Sequence, residues 1–177
     1  GYLPTDTYGR NAVWSDYLHV WHLGGSGTAY ESTGNGNDAI NYSTIQATGL
    51  LGSCRYFDGV SGHLLVWDLP DLPNGWQRQV QCLFKYEGSQ VNTGIVCSTT
   101  TSPGSTSMAM YDDDTFRISI TQNGANKVMN YSPLTSGQWY HGCYKYWIAG
   151  NYGIYRAQQF LDGVLVNTVN GLDTYRW

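Results

Sequence analysis

Val80-Gln81-Cys82-Leu83-Phe84 and Trp139-Tyr140-His141-Gly142-Cys143-Tyr144 decide how this chain is read. Each is a predicted strand with a cysteine at an interior position, and the second leads on to Phe160-Leu161-Asp162-Gly163-Val164-Leu165-Val166, a predicted hairpin. A cysteine inside each of two apolar strands far apart in sequence suggests a disulfide stapling a β-sheet core. Such a bond belongs to oxidising compartments. Four cysteines are present, and four cysteines allow three connectivities.

Outward from these strands the pattern stays β. Tyr17–Leu23 alternates and predicts a first core strand, followed by the turn-rich Ser32–Asp38. Gly49-Leu50-Leu51-Gly52 predicts a turn, then come predicted strands at Cys54–Phe57 and His63–Trp67 and a proline-bearing loop from Asp68 to Gly75. Further strands are predicted at Gln79–Tyr86, Gly94–Ser98, Ser107–Tyr111, Thr115–Ile120, Lys127–Tyr131, Trp139–Trp147, Tyr155–Leu161 and Val164–Val169. Asn123-Gly124 and Asp162-Gly163 are tight hairpin signals. About a dozen short strands without helical periodicity predict an all-β, antiparallel two-sheet sandwich or jelly roll.

Charged residues make up only 12% of the chain, half the usual share, and Ser, Thr, Asn, Gly and Tyr replace them. A surface of that kind hydrogen-bonds without charge, as in extracellular β proteins, adhesins and virion components. The net charge of −4 and three lysines argue against a nucleic-acid partner, which needs a clustered basic face. No apolar run approaches the roughly 20 residues of a membrane-spanning helix, so membrane insertion is not expected.

The motifs Val20-Trp21-His22-Leu23, Glu31-Ser32-Thr33-Gly34-Asn35-Gly36-Asn37, Gly49-Leu50-Leu51-Gly52, Phe57-Asp58-Gly59, Gly137-Gln138-Trp139-Tyr140-His141 and Phe160-Leu161-Asp162-Gly163 occur in this order. Together they resemble the laminin-G-like jelly-roll family of the concanavalin A-like lectin/glucanase superfamily, from Val13 onward. The resemblance implies an N-terminal arm or linker over residues 1–15 and one jelly-roll domain over 16–177. It also implies a closing strand that this sequence does not supply, hence completion of the sheet by another chain or by a further segment. A likeness to pentraxins, which share the sandwich, implies a bond between Cys82 and Cys143. Cys54 and Cys97 then remain, paired with each other or as thiols.

The catalytic branch of that superfamily uses paired carboxylates, held about 5 Å apart in retaining hydrolysis. Only Glu31 and Glu87 are glutamates, in separate loop-like segments, so no enzyme is expected. His19, His22, His63 and His141 lack metal-ligand spacing. Asp112-Asp113-Asp114 is the one acidic cluster and a candidate Ca²⁺ site, with a solvated turn as the favoured reading. No other cofactor is implied. Sugar binding needs exposed rings beside hydrogen-bonding groups. Trp21, Trp67 and Trp139 are expected in the core, and Trp76, Tyr111, Tyr131, Tyr152 and Tyr175 are the candidate ligand-binding residues.

The expectation is a non-enzymatic, lectin-like module outside the cell, on its surface or on a virion. Its partner is a glycan or surface receptor, within a larger assembly. The alternative is a structural block of a fibre, filament or phage particle, held by self-association, strand complementation or contacts with other domains.

Overall fold

The computed structural model describes residues 13–67, 77–88, 93–98, 105–110, 114–122, 125–131, 133–148 and 154–170. The architecture is all-β: every element is a strand and every pairing is antiparallel. The chain divides into two compact units, Gly1–Asp71 and Leu72–Trp177.

In the N-terminal unit, β1 (Ile40–Tyr42) pairs with β4 (His63–Leu65), and β2 (Ile45–Gly49) pairs with β3 (Gly52–Tyr56). The strand expected at Tyr17–Leu23 reduces to a single bridge between Trp21 and Glu31. Its backbone is satisfied otherwise: Val20 N–H donates to the Glu31 side chain and Val20 C=O accepts from Ser32 N–H. β1 and β2 are strands the sequence pattern did not reveal. Ser43, with φ of +60°, separates them, and Asn41 bonds across the break to Thr44 N–H and its hydroxyl at 3.0 and 2.6 Å.

The C-terminal unit has two four-stranded sheets. One runs β12 (Val164–Asn170), β11 (Ile154–Leu161), β10 (Trp139–Ile148), β5 (Gln77–Lys85); the other runs β6 (Thr93–Ser98), β7 (Ser105–Met110), β8 (Phe116–Gln122), β9 (Ala125–Tyr131). One apolar core lies between them. Phe84, Tyr144, Tyr146, Ala157 and Leu161 enter it from the first sheet, and Met108, Phe116, Ile118, Ile120 and Met129 from the second. The alternation of Phe116, Ile118 and Ile120 places all three inward, as period two requires. Gly142 lets Phe116 approach: a Cβ there would lie 2.8 Å from the Phe116 ring. Gln159, fully buried, ties the sheets together, donating to Phe116 C=O at 2.9 Å and accepting from Asn167 Nδ2 at 2.9 Å. Asp162 and Gly163, at φ +50° and +79°, form the expected two-residue hairpin between Leu161 and Val164.

The disulfide is a correction. β5 and β10 are hydrogen-bonded neighbours, but Cys82 stands opposite Gly142, and Cys143 opposite Gln81. A shift of one residue sends the two side chains to opposite faces. Cys82 Sγ enters the core, 3.4 Å from Met108 Sδ, whereas Cys143 faces away from it. Cys54, Cys82 and Cys143 are free thiols; the Cys97 side chain, the other half of the second expected bridge, lies outside the described residues.

Candidate functional site: a polar and aromatic sheet face

Because even-numbered residues of β5 and β10 fill the core, the odd ones stand on the outer face of that sheet; on β11 the even ones do. Where all four strands run side by side, strand register arranges them in three rows. Gln77, Trp147, Arg156 and Asn170 form the first. Gln79, Lys145, Gln158 and Thr168 form the second, and Gln81, Cys143, Phe160 and Leu165 the third. The middle row is made wholly of hydrogen-bonding side chains and has an aromatic ring on either side of it.

Two cation–ring contacts order this face. Lys145 Nζ sits 5.5 Å from the Phe160 ring centre and Arg156 Cζ 5.1 Å from that of Trp147. Cys143 is buried among its neighbours on the face; burial pushes its thiol above the ordinary value, against the opposing pull of Lys145. Toward the hairpin, His141 N–H donates to the Asp162 carboxylate at 2.7 Å.

None of these outer-face positions except the cysteine was singled out by sequence reasoning. The signal was there: once Phe84 and Tyr144 are set inward, Gln77, Gln79 and Gln81 must line up on the other side. The cysteines drew attention along the strand rather than across it.

Of the predicted ligand residues, Tyr131 lies at the end of edge strand β9 and is partly exposed. Trp76, Tyr111, Tyr152 and Tyr175 lie outside the described residues, as do Asp112 and Asp113. Asp114 has a left-handed φ of +56°; its carboxylate accepts from the buried Tyr86 hydroxyl and its C=O from Leu134 N–H at 2.8 Å. Among the described residues no group of three or more His, Cys, Asp or Glu is placed to hold a metal. Trp67, expected in the core, is 62% exposed, while Trp21 and Trp139 are half-buried.

Glu31, Asp58 and Glu87 each serve their own segment of chain. Glu31 is buried, and its two oxygens accept from Val20, Thr33, Gly34 and Asn35 N–H at 2.7–3.1 Å. Burial alone would raise its carboxyl; the bonds from Thr33, Val20 and Gly34 outweigh that and hold it at about 2. Asp58, on the surface, accepts from Gly62, Val60 and Ser61 N–H, which hold its carboxyl far below the usual range. Glu87 pairs with Lys85 at 2.7 Å. The glutamates thus have structural partners, and neither faces a second carboxylate in these bonds.

No known protein family, curated protein or solved structure matches this chain.

Proposed function

We propose that this chain is a non-enzymatic recognition module that binds a glycan on the outer face of the β5–β10–β11–β12 sheet, and that it is a laminin-G-like jelly roll. One observation carries the reading. A row of amide, ammonium and hydroxyl groups, Gln79–Lys145–Gln158–Thr168, runs between the rings of Trp147 and Phe160. Sugars present C–H faces that pack on rings and hydroxyls that need donors and acceptors, and this face offers both. The jelly-roll assignment draws on two four-stranded antiparallel sheets around one core, with β6–β9 inserted between the neighbours β5 and β10. A location outside the cell or on a virion rests on the low-charge composition; Cys54, Cys82 and Cys143, being free, contribute nothing to it.

A glycan array, run with calcium and with a chelator, tests this. Binding of at least one glycan is expected, weakened tenfold or more by Trp147→Ala, or about 1.4 kcal/mol. An array silent in both conditions would sink the reading.

Self-association into a larger structure is the second reading, favoured by the N-terminal unit. There Tyr30, Leu51, Val60 and Trp67 are 71, 90, 91 and 62% exposed. Large apolar side chains left in water are what contacts between copies would cover.

A further inference from the structure

We propose that the ligand of this face is a polysaccharide bearing carboxylates, a sparsely charged uronate chain; this rests on the face being the glycan site. The chain as a whole is acidic, with 9 Lys and Arg against 13 Asp and Glu. The three rows invert that balance: they carry Lys145 and Arg156 and no carboxylate at all. Among the described residues the one ion pair is Lys85–Glu87, and neither Lys145 nor Arg156 has an anionic partner among them. Each is instead parked over a ring, at 5.5 and 5.1 Å. A ring face positions a cation and leaves its charge unneutralised.

The spacing selects the anion. Lys145 stands opposite Gln158, and Arg156 lies two residues back along the same strand, opposite Trp147. Diagonal neighbours of this kind are about 7–8 Å apart at the backbone, and the two charged ends lean apart, one toward Phe160 and the other toward Trp147. That geometry suits separate carboxylates along a sugar chain, with Arg156 able to take one bidentately. Gln158, Thr168 and the Gln79 amide oxygen are left for the hydroxyls between charges, the Gln79 nitrogen donating to Gln81 at 3.3 Å. A densely sulfated chain calls for a longer basic stripe than two cations supply.

The test uses the full chain against a panel of polyuronates, each beside its carboxyl-reduced counterpart, with a neutral glycan array and a sulfated polysaccharide as further arms. At least one polyuronate is expected to bind tenfold or more tightly than its reduced partner. Lys145→Gln and Arg156→Gln are each expected to remove most of that difference, with circular dichroism and melting temperature unchanged. Equal affinity within every pair overturns the carboxylate assignment while leaving the glycan site standing. Tighter binding of the sulfated chain overturns it likewise. Silence toward neutral, uronate and sulfated glycans alike overturns the site itself.

Discussion

The two units of this chain keep their shapes by different means. In the C-terminal unit the buried side chains are mostly large and apolar, with Phe116, Ile118, Met108 and Tyr144 at 0–1% exposure. Among the described residues of the N-terminal unit, the buried hydrophobic ones are Ala29 and Ala39, and the buried polar ones are Glu31, Thr44 and Arg55. One unit is held by packing, which is non-directional and tolerant of small shifts. The other is held by hydrogen bonds to a few side chains, which are directional and fail individually. The lesson concerns position rather than strength: in the first unit a change anywhere in the core is shared among many neighbours, whereas in the second one carboxylate fixes a whole loop.

The sharpest way to break this contrast is a core truncation. Phe116→Ala removes a fully buried ring that packs against Phe84, with centroids 5.5 Å apart, and that approaches Gly142. A loss of about 3–5 kcal/mol is expected, read as a fall in the urea midpoint of the C-terminal unit. A change under about 1 kcal/mol would mean that the two sheets do not share this core.

The matching experiment in the N-terminal unit is Glu31→Gln. An amide cannot accept with both atoms, so its nitrogen would meet the N–H groups that now bond one carboxylate oxygen. About 2–4 kcal/mol of local stability should go, seen as faster hydrogen exchange at Thr33, Gly34 and Asn35. Acid should do the same to the unmutated chain. The Glu31 carboxyl is lowered from 4.5 to about 2 in the folded state, so its contribution is full above the unfolded value and is lost as pH falls through the folded one. Protection of those three amides should therefore decline between about pH 5 and pH 2, and Glu31→Gln should abolish that dependence.

How much of this was legible in the sequence follows the same division. Strands in the C-terminal unit announced themselves through period-two alternation, because a two-sided core demands it: Phe116–Ile120 and the Asp162-Gly163 hairpin are where the pattern puts them. In the N-terminal unit the alternation at Tyr17–Leu23 misled. The Glu31 loop takes up its backbone groups, and nothing in local hydrophobicity reports a partner eleven residues away. β1, at three residues, is too short for any period to register, whereas β4 falls inside the strand predicted at His63–Trp67. Trp67 was assigned to the core as part of an alternating strand at His63–Trp67, but β4 ends at Leu65 and the ring is exposed. The sheet-face site was hidden for another reason. It depends on register between strands sixty residues apart, and a shift of one would have turned every side chain over.

That register has its own test, with a small effect on stability but a decisive readout. Burial, and then the nearness of Cys143, pushes the Cys82 thiol up to about 12. At pH 8 only about one such thiol in ten thousand is ionised, against about one in ten for an ordinary thiol of 9.0, and the thiolate is the species that reacts. Among Cys54, Cys82 and Cys143, alkylation of the native chain, followed by peptide mass analysis, should label Cys54 first, since it lies partly exposed on β3. Cys82 should react only after unfolding. Cys143, buried beside Lys145 on the outer face, should fall between them. A peptide in which Cys82 and Cys143 are covalently joined would require both sulfurs on one face, which the pairing of Cys82 with Gly142 forbids. Such a peptide would move β10 by one residue along β5, dissolve the three rows of the proposed glycan face and return the fold to the disulfide-stapled form that the sequence first suggested.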